Sequence, residues 1–298
     1  MKIFINNPGE DWICDRIRSE FIENNKDICV PFIEEADTVW VISPWMFQDY
    51  EKLKGKKSIF SIYHVVPSKF NKQNFELINY FATSIHTICD STKEFLKQYT
   101  EKPISMIPFW VNQQIWKDLD KKKCREELNL PADKYIVGSF QRDTEGHDLI
   151  SPKLEKGPDQ FCDIVESIYE KNKDTHVLLG GWRRQYIISR LESKNIPFTY
   201  FEKPDFDFVN KMYNSLDLYI VSSRNEGGPQ SIPESCLTKT PIISTDVGCA
   251  KIFLNNSSIY TFPDFDSALP DIEHGSATVQ DYLIPKGFEP FYKMFNEC

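Results

Sequence analysis

The stretch that most constrains this chain is an apolar run, Leu218–Val221, followed by Ser222–Gly248, SSRNEGGPQSIPESCLTKTPIISTDVG. The apolar run reads as a buried strand and Pro241–Ser244 as the next one. Between them lie a glycine loop, Gly227-Gly228-Pro229, and a helix-like run. Strand, loop, helix and strand make one βαβ unit, which demands a parallel sheet. Such a unit sets a loop and a helix N-terminus at the carboxyl end of the sheet, where open α/β folds bind ligands. Free N–H groups and the helix dipole favour an anion there, phosphate above all. Two carboxylates, Glu226 and Glu234, flank the loop.

The rest of the chain repeats this alternation. In the first half, Lys2–Ile5, Thr38–Ser43, Ser58–Tyr63, Thr83–Cys89 and Ser105–Pro108 read as strands. Ile13, Ile17 and Phe21 recur at helical spacing, and Asn74–Phe81 and Lys93–Tyr99 read as further helices. Asp90-Ser91-Thr92 is a cap cluster for the last of these. Lys117–Glu127 is rich in charge and contains a triple lysine, read as a solvated helix face with the hinge near residue 118. Strands restart at Tyr135–Phe140, Thr175–Leu179 and Phe198–Phe201. Helical patterns occupy Asp159–Lys171, Tyr186–Glu192 and Phe206–Ser215. The expected division is an N-terminal domain at 1–118, a ligand-binding domain at 119–278, and an amphipathic segment at 279–298 that packs back on the first domain. The expected class is α/β, with two Rossmann-like, doubly wound domains facing a cleft.

Composition removes several functions. With 298 residues the chain is long enough for two domains. A net charge of −9 opposes generic nucleic-acid binding, since phosphate backbones would be repelled. The 8 cysteines form no CxxC pair and are expected as reduced, mostly buried thiols, not a disulfide frame or zinc site. No window suggests a transmembrane span or a signal peptide. A cytoplasmic protein is expected, loosely membrane-associated if its partner is a lipid.

Glu226 and Glu234 admit a surface reading, a turn residue and a solvated helix residue, and also a glycosidase-like acid/base pair. The latter fits poorly, because nothing fixes their separation. Arg142 and Lys156 bracket a polar loop after the strand Tyr135–Phe140. They are either surface cations or a pair of fixed charges for an anion. Gly181-Trp182 and Lys203-Pro204 follow the next two strands, and Trp182 reads equally as core. Trp45 and Phe47 read first as core, and alternatively as an aromatic sugar platform.

The block SSRNEGGPQSIPESCLTKTPIISTDVG resembles the signature of retaining glycosyltransferases of family 4, which have the GT-B fold. The stretch YIVGSFQR…EKG resembles that family's strand–Gly–Arg…Lys-Gly phosphate site, and CDSTKEFL and ISMIPFWVNQQIW resemble segments closing its N-terminal domain. The resemblance covers residues 103 to 252 well and the N-terminal half only in pattern. It implies metal-independent transfer of a sugar, with retention, from a nucleotide-diphosphate sugar (UDP- or GDP-linked) to a glycan, glycoprotein or lipid-linked acceptor. No cofactor is implied. Arg142, Lys156 and Gly9 would hold the donor phosphates. Glu226, Gly227, Gly228, Pro229, Gln230, Ser231 and Glu234 would hold the donor sugar and ribose. Glu226 and His64 would face the reaction, and Gly181, Trp182, Lys203 and Pro204 would surround the base. Two departures stand out: Pro233, which requires the helix to begin near Gln230, and a helix end without the usual glycine. The alternatives are a GT-B-fold sugar-nucleotide epimerase and a non-catalytic nucleotide-sugar-binding protein.

Overall fold

The computed structural model describes residues 1–10, 13–146 and 148–297. The chain forms two compact units, one of Met1–Trp110 with Ile284–Cys298 and one of Val111–Leu283. The division falls at Trp110, not in the charge-rich stretch near 118. That stretch is tied into the second unit: Asn210 and Asn214 accept the backbone N–H groups of Lys117 and Leu119, and Trp116 packs on Tyr213. The lysine run does form a helix, Lys121–Glu127, capped by Asp120.

The first unit has five parallel strands in the order β1 (Ile3–Ile5), β2 (Thr38–Val41), β3 (Lys57–Ser61), β4 (Ser84–Thr87) and β5 (Ile104–Met106). Ile3 also pairs in parallel with Cys29, through Ile3 N–H to Ile28 and Val30 N–H to Ile3, on the β1 edge away from β2. The chain therefore leaves β1 in one direction and returns to β2 in the other. The sheet reverses its strand order between β1 and β2, which makes it doubly wound. Alternation along β2 sorts its two faces. Trp40 meets Ile17 and Phe21 of the helix Ile13–Asn24 and Phe291 and Phe295 of the C-terminal helix Glu289–Glu297. Val39 and Val41 meet Phe75 of the helix Lys72–Phe81 and Leu96 of the helix Asp90–Leu96.

The second unit has six strands: β6 (Tyr135–Ser139), β7 (Thr175–Gly181), β8 (Phe198–Glu202), β9 (Leu218–Val221), β10 (Ile242–Thr245) and β11 (Ile259–Tyr260). All pair in parallel in the order β11-β10-β9-β6-β7-β8. Strand order reverses between β6 and β9, giving a Rossmann-type sheet whose ligand edge is the carboxyl ends of those two strands. Seven cysteines among the described residues are free, six of them buried. No helix among the described residues is long and apolar enough to cross a membrane.

Candidate functional site

The carboxyl ends of β6 and β9 carry the residues that the sequence singles out. The loop after β6 is folded onto the loop after β9 by backbone contacts. Arg224 and Asn225 N–H groups both donate to the Glu155 carbonyl, at 2.8 and 3.0 Å. The Gln141 amide donates to the Lys156 carbonyl at 2.8 Å, and the Ser222 hydroxyl to the Gly157 carbonyl at 2.8 Å. Gly157 is held at φ +61°, and a Cβ there would lie 1.8 Å from the Ser222 carbonyl oxygen. Only glycine permits that approach. Arg224 clamps the loop from outside through both oxygens of Asp159, at 2.7 and 2.6 Å.

This stitching brings Lys156 and Glu226 together as an ion pair, with the Glu226 carboxylate largely buried. The two residues expected at phosphate and sugar are thus each other's partners here. Lys153, which the sequence reading missed, stands within electrostatic range of both. Burial, then the like charges of Lys156 and Arg142, hold its ammonium below the usual lysine range, against the pull of Glu155 and Glu226. Its signal was available in the sequence as a second lysine one helical turn before Lys156 in SPKLEKG.

Arg142 turns away from that pair. Its Nε donates to the Thr144 carbonyl at 2.7 Å, and its guanidinium lies 5.8 Å from the Trp182 ring centre. Lys203 and Arg183 approach the same ring, at 4.7 and 5.2 Å. Trp182 is 42% exposed, so it is not core. Its ring collects three cations in a chain of net charge −9. Cation–π attraction places each charge, and desolvation and the neighbouring Arg183 depress the Arg142 pKa. Gly181, at φ +97°, turns β7 into this corner, and Pro204 follows Lys203.

Glu234 lies in the helix Ser231–Leu237, with Gln230 as its N-cap. Pro233 is in the first turn, where its missing N–H costs no helical hydrogen bond. Glu234 is buried and accepts a hydrogen bond from the Tyr213 hydroxyl at 3.0 Å. Ser231 hydrogen-bonds the Tyr219 hydroxyl, which also accepts from the Phe140 N–H at 3.1 Å. Gly227 is covered by Gly248, whose φ of +53° and 2.4 Å Cβ clearance to the Gly227 carbonyl leave no room for a side chain. Gly228 and Pro229 complete the partly open loop.

Gly9 and His64 belong to the first unit. Gly9 takes φ +63°, but its N–H and that of Glu10 both donate to the Asp15 carboxylate, each at 2.9 Å. A carboxylate therefore holds these two amides, and a phosphate at Gly9 would have to displace it. His64 is exposed just beyond β3. Phe47 is core, 8% exposed, whereas Trp45 is 56% exposed, against its first reading. Among the described residues no group of three or more His, Cys, Asp or Glu side chains is placed to hold a metal ion.

Residues 149–270 match the family model described as glycosyl transferases group 1. The matched segment is less than half of the chain. It contains Lys153, Lys156, Trp182, Glu226 and Glu234, and it makes the chain an enzyme of the transferase class. No protein of curated function matches the chain. Among solved structures, HepE of Anabaena in complex with UDP and glucose superposes with a TM-score of 0.78 at 12% identity, covering 100% of each chain. Sucrose-phosphate synthase from Thermosynechococcus elongatus gives 0.71 at 14% identity, over 98% of this chain and 81% of that one. A glycosyltransferase from Rickettsia africae gives 0.66 at 15%, over 98% and 82%. At such identities the likeness establishes the fold, which is GT-B.

Proposed function

We propose that the protein is a retaining, metal-independent glycosyltransferase of family 4 that uses a nucleotide-diphosphate sugar. The observation that carries this reading is the cluster at the strand-order reversal of the transferase domain: Lys156 paired with Glu226, and Lys153 held beside them. Breaking the anomeric C–O bond leaves negative charge on the departing diphosphate and positive charge on the sugar ring. Fixed cations in a partly dry loop stabilise the first without a metal. Lys156, Lys153 and Arg142 are assigned to that role. The Glu226 carboxylate, released from Lys156 when phosphate takes the ammonium, accepts hydrogen bonds from the sugar hydroxyls. Glu234, oriented by Tyr213, accepts from the ribose hydroxyls. Trp182 offers its exposed face to the base, with Lys203 at its rim.

The donor is taken as UDP-linked, because HepE, which has this fold, has been crystallised with UDP-glucose. Retention is supported by the resemblance and by the carboxylate assigned to sugar binding, and the acceptor is a saccharide or a saccharide-bearing molecule. The protein acts in the cytoplasm, at a membrane surface if the acceptor is lipid-linked. The test is a panel of UDP-, GDP- and ADP-sugars, with melting temperature and donor turnover read in EDTA. A UDP-sugar is expected to raise the melting temperature and to be consumed, with the anomeric configuration kept in the product. No response to any donor, or a strict need for Mn²⁺, contradicts the reading.

A further inference from the structure

The ion pair at the carboxyl ends of β6 and β9 ties up the two groups that the donor needs most. Among the described residues, Lys156 is the one side chain hydrogen-bonded to the Glu226 carboxylate. The Glu226 side chain is 9% exposed and the Lys156 side chain 25%, so little water stands ready to replace either partner. Both ends are set on fixed backbone. The Lys156 carbonyl accepts the Gln141 amide and the Lys156 N–H donates to the Lys153 carbonyl, each at 2.8 Å. On the other loop, the N–H groups of Arg224 and Asn225 rest on the Glu155 carbonyl, and Gly248 closes over the Gly227 carbonyl. A ligand can therefore part the pair only by turning the two side chains.

Parting it has a cost that depends on the ligand. A carboxylate this far from water is strongly destabilised when its cation leaves. The other cations do not take over. Arg142 is held on the Thr144 carbonyl and the Trp182 ring, and Lys153 is drawn by Glu155 ahead of Glu226. A sugar on the terminal phosphate does take over, because its hydroxyls donate to the freed carboxylate. A bare nucleoside diphosphate brings no hydroxyl to that place. Its terminal phosphate carries about two negative charges near neutral pH, against roughly one once a sugar esterifies it. It therefore sets more charge beside a carboxylate that nothing satisfies.

We infer that the Lys156–Glu226 pair makes the site discriminate between donor and spent nucleotide: it competes with a bare nucleoside diphosphate for the Lys156 ammonium and yields to one that carries a sugar. The inference rests on the donor reading of this site. Once the sugar has left, the pair re-forms against the remaining phosphate and favours its release.

The experiment measures binding of uridine, UDP and UDP-glucose by calorimetry on the full-length wild type, E226Q, K156Q and K156Q/E226Q. E226Q keeps the shape of the side chain and removes its charge. It should bind UDP about tenfold more tightly than the wild type, uridine equally, and UDP-glucose no more tightly. K156Q should weaken UDP, and adding E226Q to it should recover less than E226Q gains alone, because no ammonium is left to release. UDP affinity unchanged or weaker in E226Q, or in E226A if E226Q fails to fold, overturns the inference. So does an equal gain for UDP-glucose, or a gain as large in the K156Q background, which would reduce the effect to plain repulsion of phosphate. These results leave the donor reading standing. A wild type that binds neither UDP nor UDP-glucose removes the donor reading, and the inference with it.

Discussion

At the scale of single residues, the site is a set of charges that constrain one another. Lys153 is the most exposed to test, because its depressed pKa has a definite sign. On the proposed function, a bound diphosphate would favour the ammonium and so draw a proton onto Lys153 at alkaline pH. UDP affinity should therefore fall as pH rises, earlier than an ordinary lysine would titrate, and K153R should flatten that dependence because guanidinium stays charged. Calorimetry in two buffers of different ionisation enthalpy measures the proton uptake. Tyr213 makes a different prediction. Y213F removes one hydrogen bond to a buried carboxylate, worth about 1 kcal/mol or slightly more. It should weaken UDP several-fold, and 2′-deoxy-UDP, which keeps only one ribose hydroxyl for Glu234, by less. Equal losses for both nucleotides would detach Glu234 from the ribose. The place of Glu226, Lys156 and Arg142 in loops after strands was legible from residue order, but their partners were not. Nothing in sequence order says that Lys156 would find Glu226, or that Arg142 would lie over Trp182, because loops separated by a whole strand and helix set those contacts.

At the scale of elements, the helix Ser231–Leu237 was readable from both ends. Pro233 limited where it starts, and the structure begins it at Ser231 after the Gln230 cap. Its other end shows how the chain ends a helix without glycine. Thr238 caps it, Lys239 adopts the left-handed φ of +55°, and the Thr240 N–H reaches back to the Ser235 carbonyl at 2.9 Å. That is a Schellman-type ending with a lysine at the position glycine favours. The strain of a side chain there is about 1 kcal/mol, and the exposed Lys239–Asp118 pair offsets little of it. K239G should accordingly raise the midpoint of urea unfolding, by roughly 0.5–1 kcal/mol of stability. A lower midpoint would mean that the ion pair outweighs the strain. Gly157 carries the opposite expectation. G157A brings a methyl group onto the Ser222 carbonyl and forces β9's loop away from Lys156. It should lower stability by about 2 kcal/mol or more and weaken UDP further than that loss of fold explains.

At the scale of the molecule, the sequence conveyed two runs of alternating strand and helix, and hence two parallel sheets, because apolar periodicity is local. The seam at Trp110 was not legible. Residues 111–120 carry a surface-like composition but are captured by Asn210 and Asn214, contacts about a hundred positions distant in the chain. The two units have separate cores, and the first contains a buried polar chain that gives it its own pH response. The His86 Nε2 donates to the Ile107 carbonyl at 2.8 Å, so its Nδ1 must accept from the Ser61 hydroxyl at 2.8 Å. Ser61 in turn accepts the Trp40 indole N–H at 2.8 Å. Every partner is satisfied only while His86 is neutral, and burial lowers its pKa to about 4 from 6.5. The unfolded chain therefore binds a proton near pH 6.5 that the folded unit refuses until about 4. Between those values the unfolded state holds more protons, so stability must fall as pH falls. Above pH 6.5 this contribution is fully present. Urea unfolding followed by tryptophan fluorescence should show the midpoint dropping across that window. In H86Q, which cannot titrate, the drop should shrink, although the variant starts from a lower stability at neutral pH. An H86Q slope equal to the wild type's would assign the acid sensitivity to the carboxylates instead.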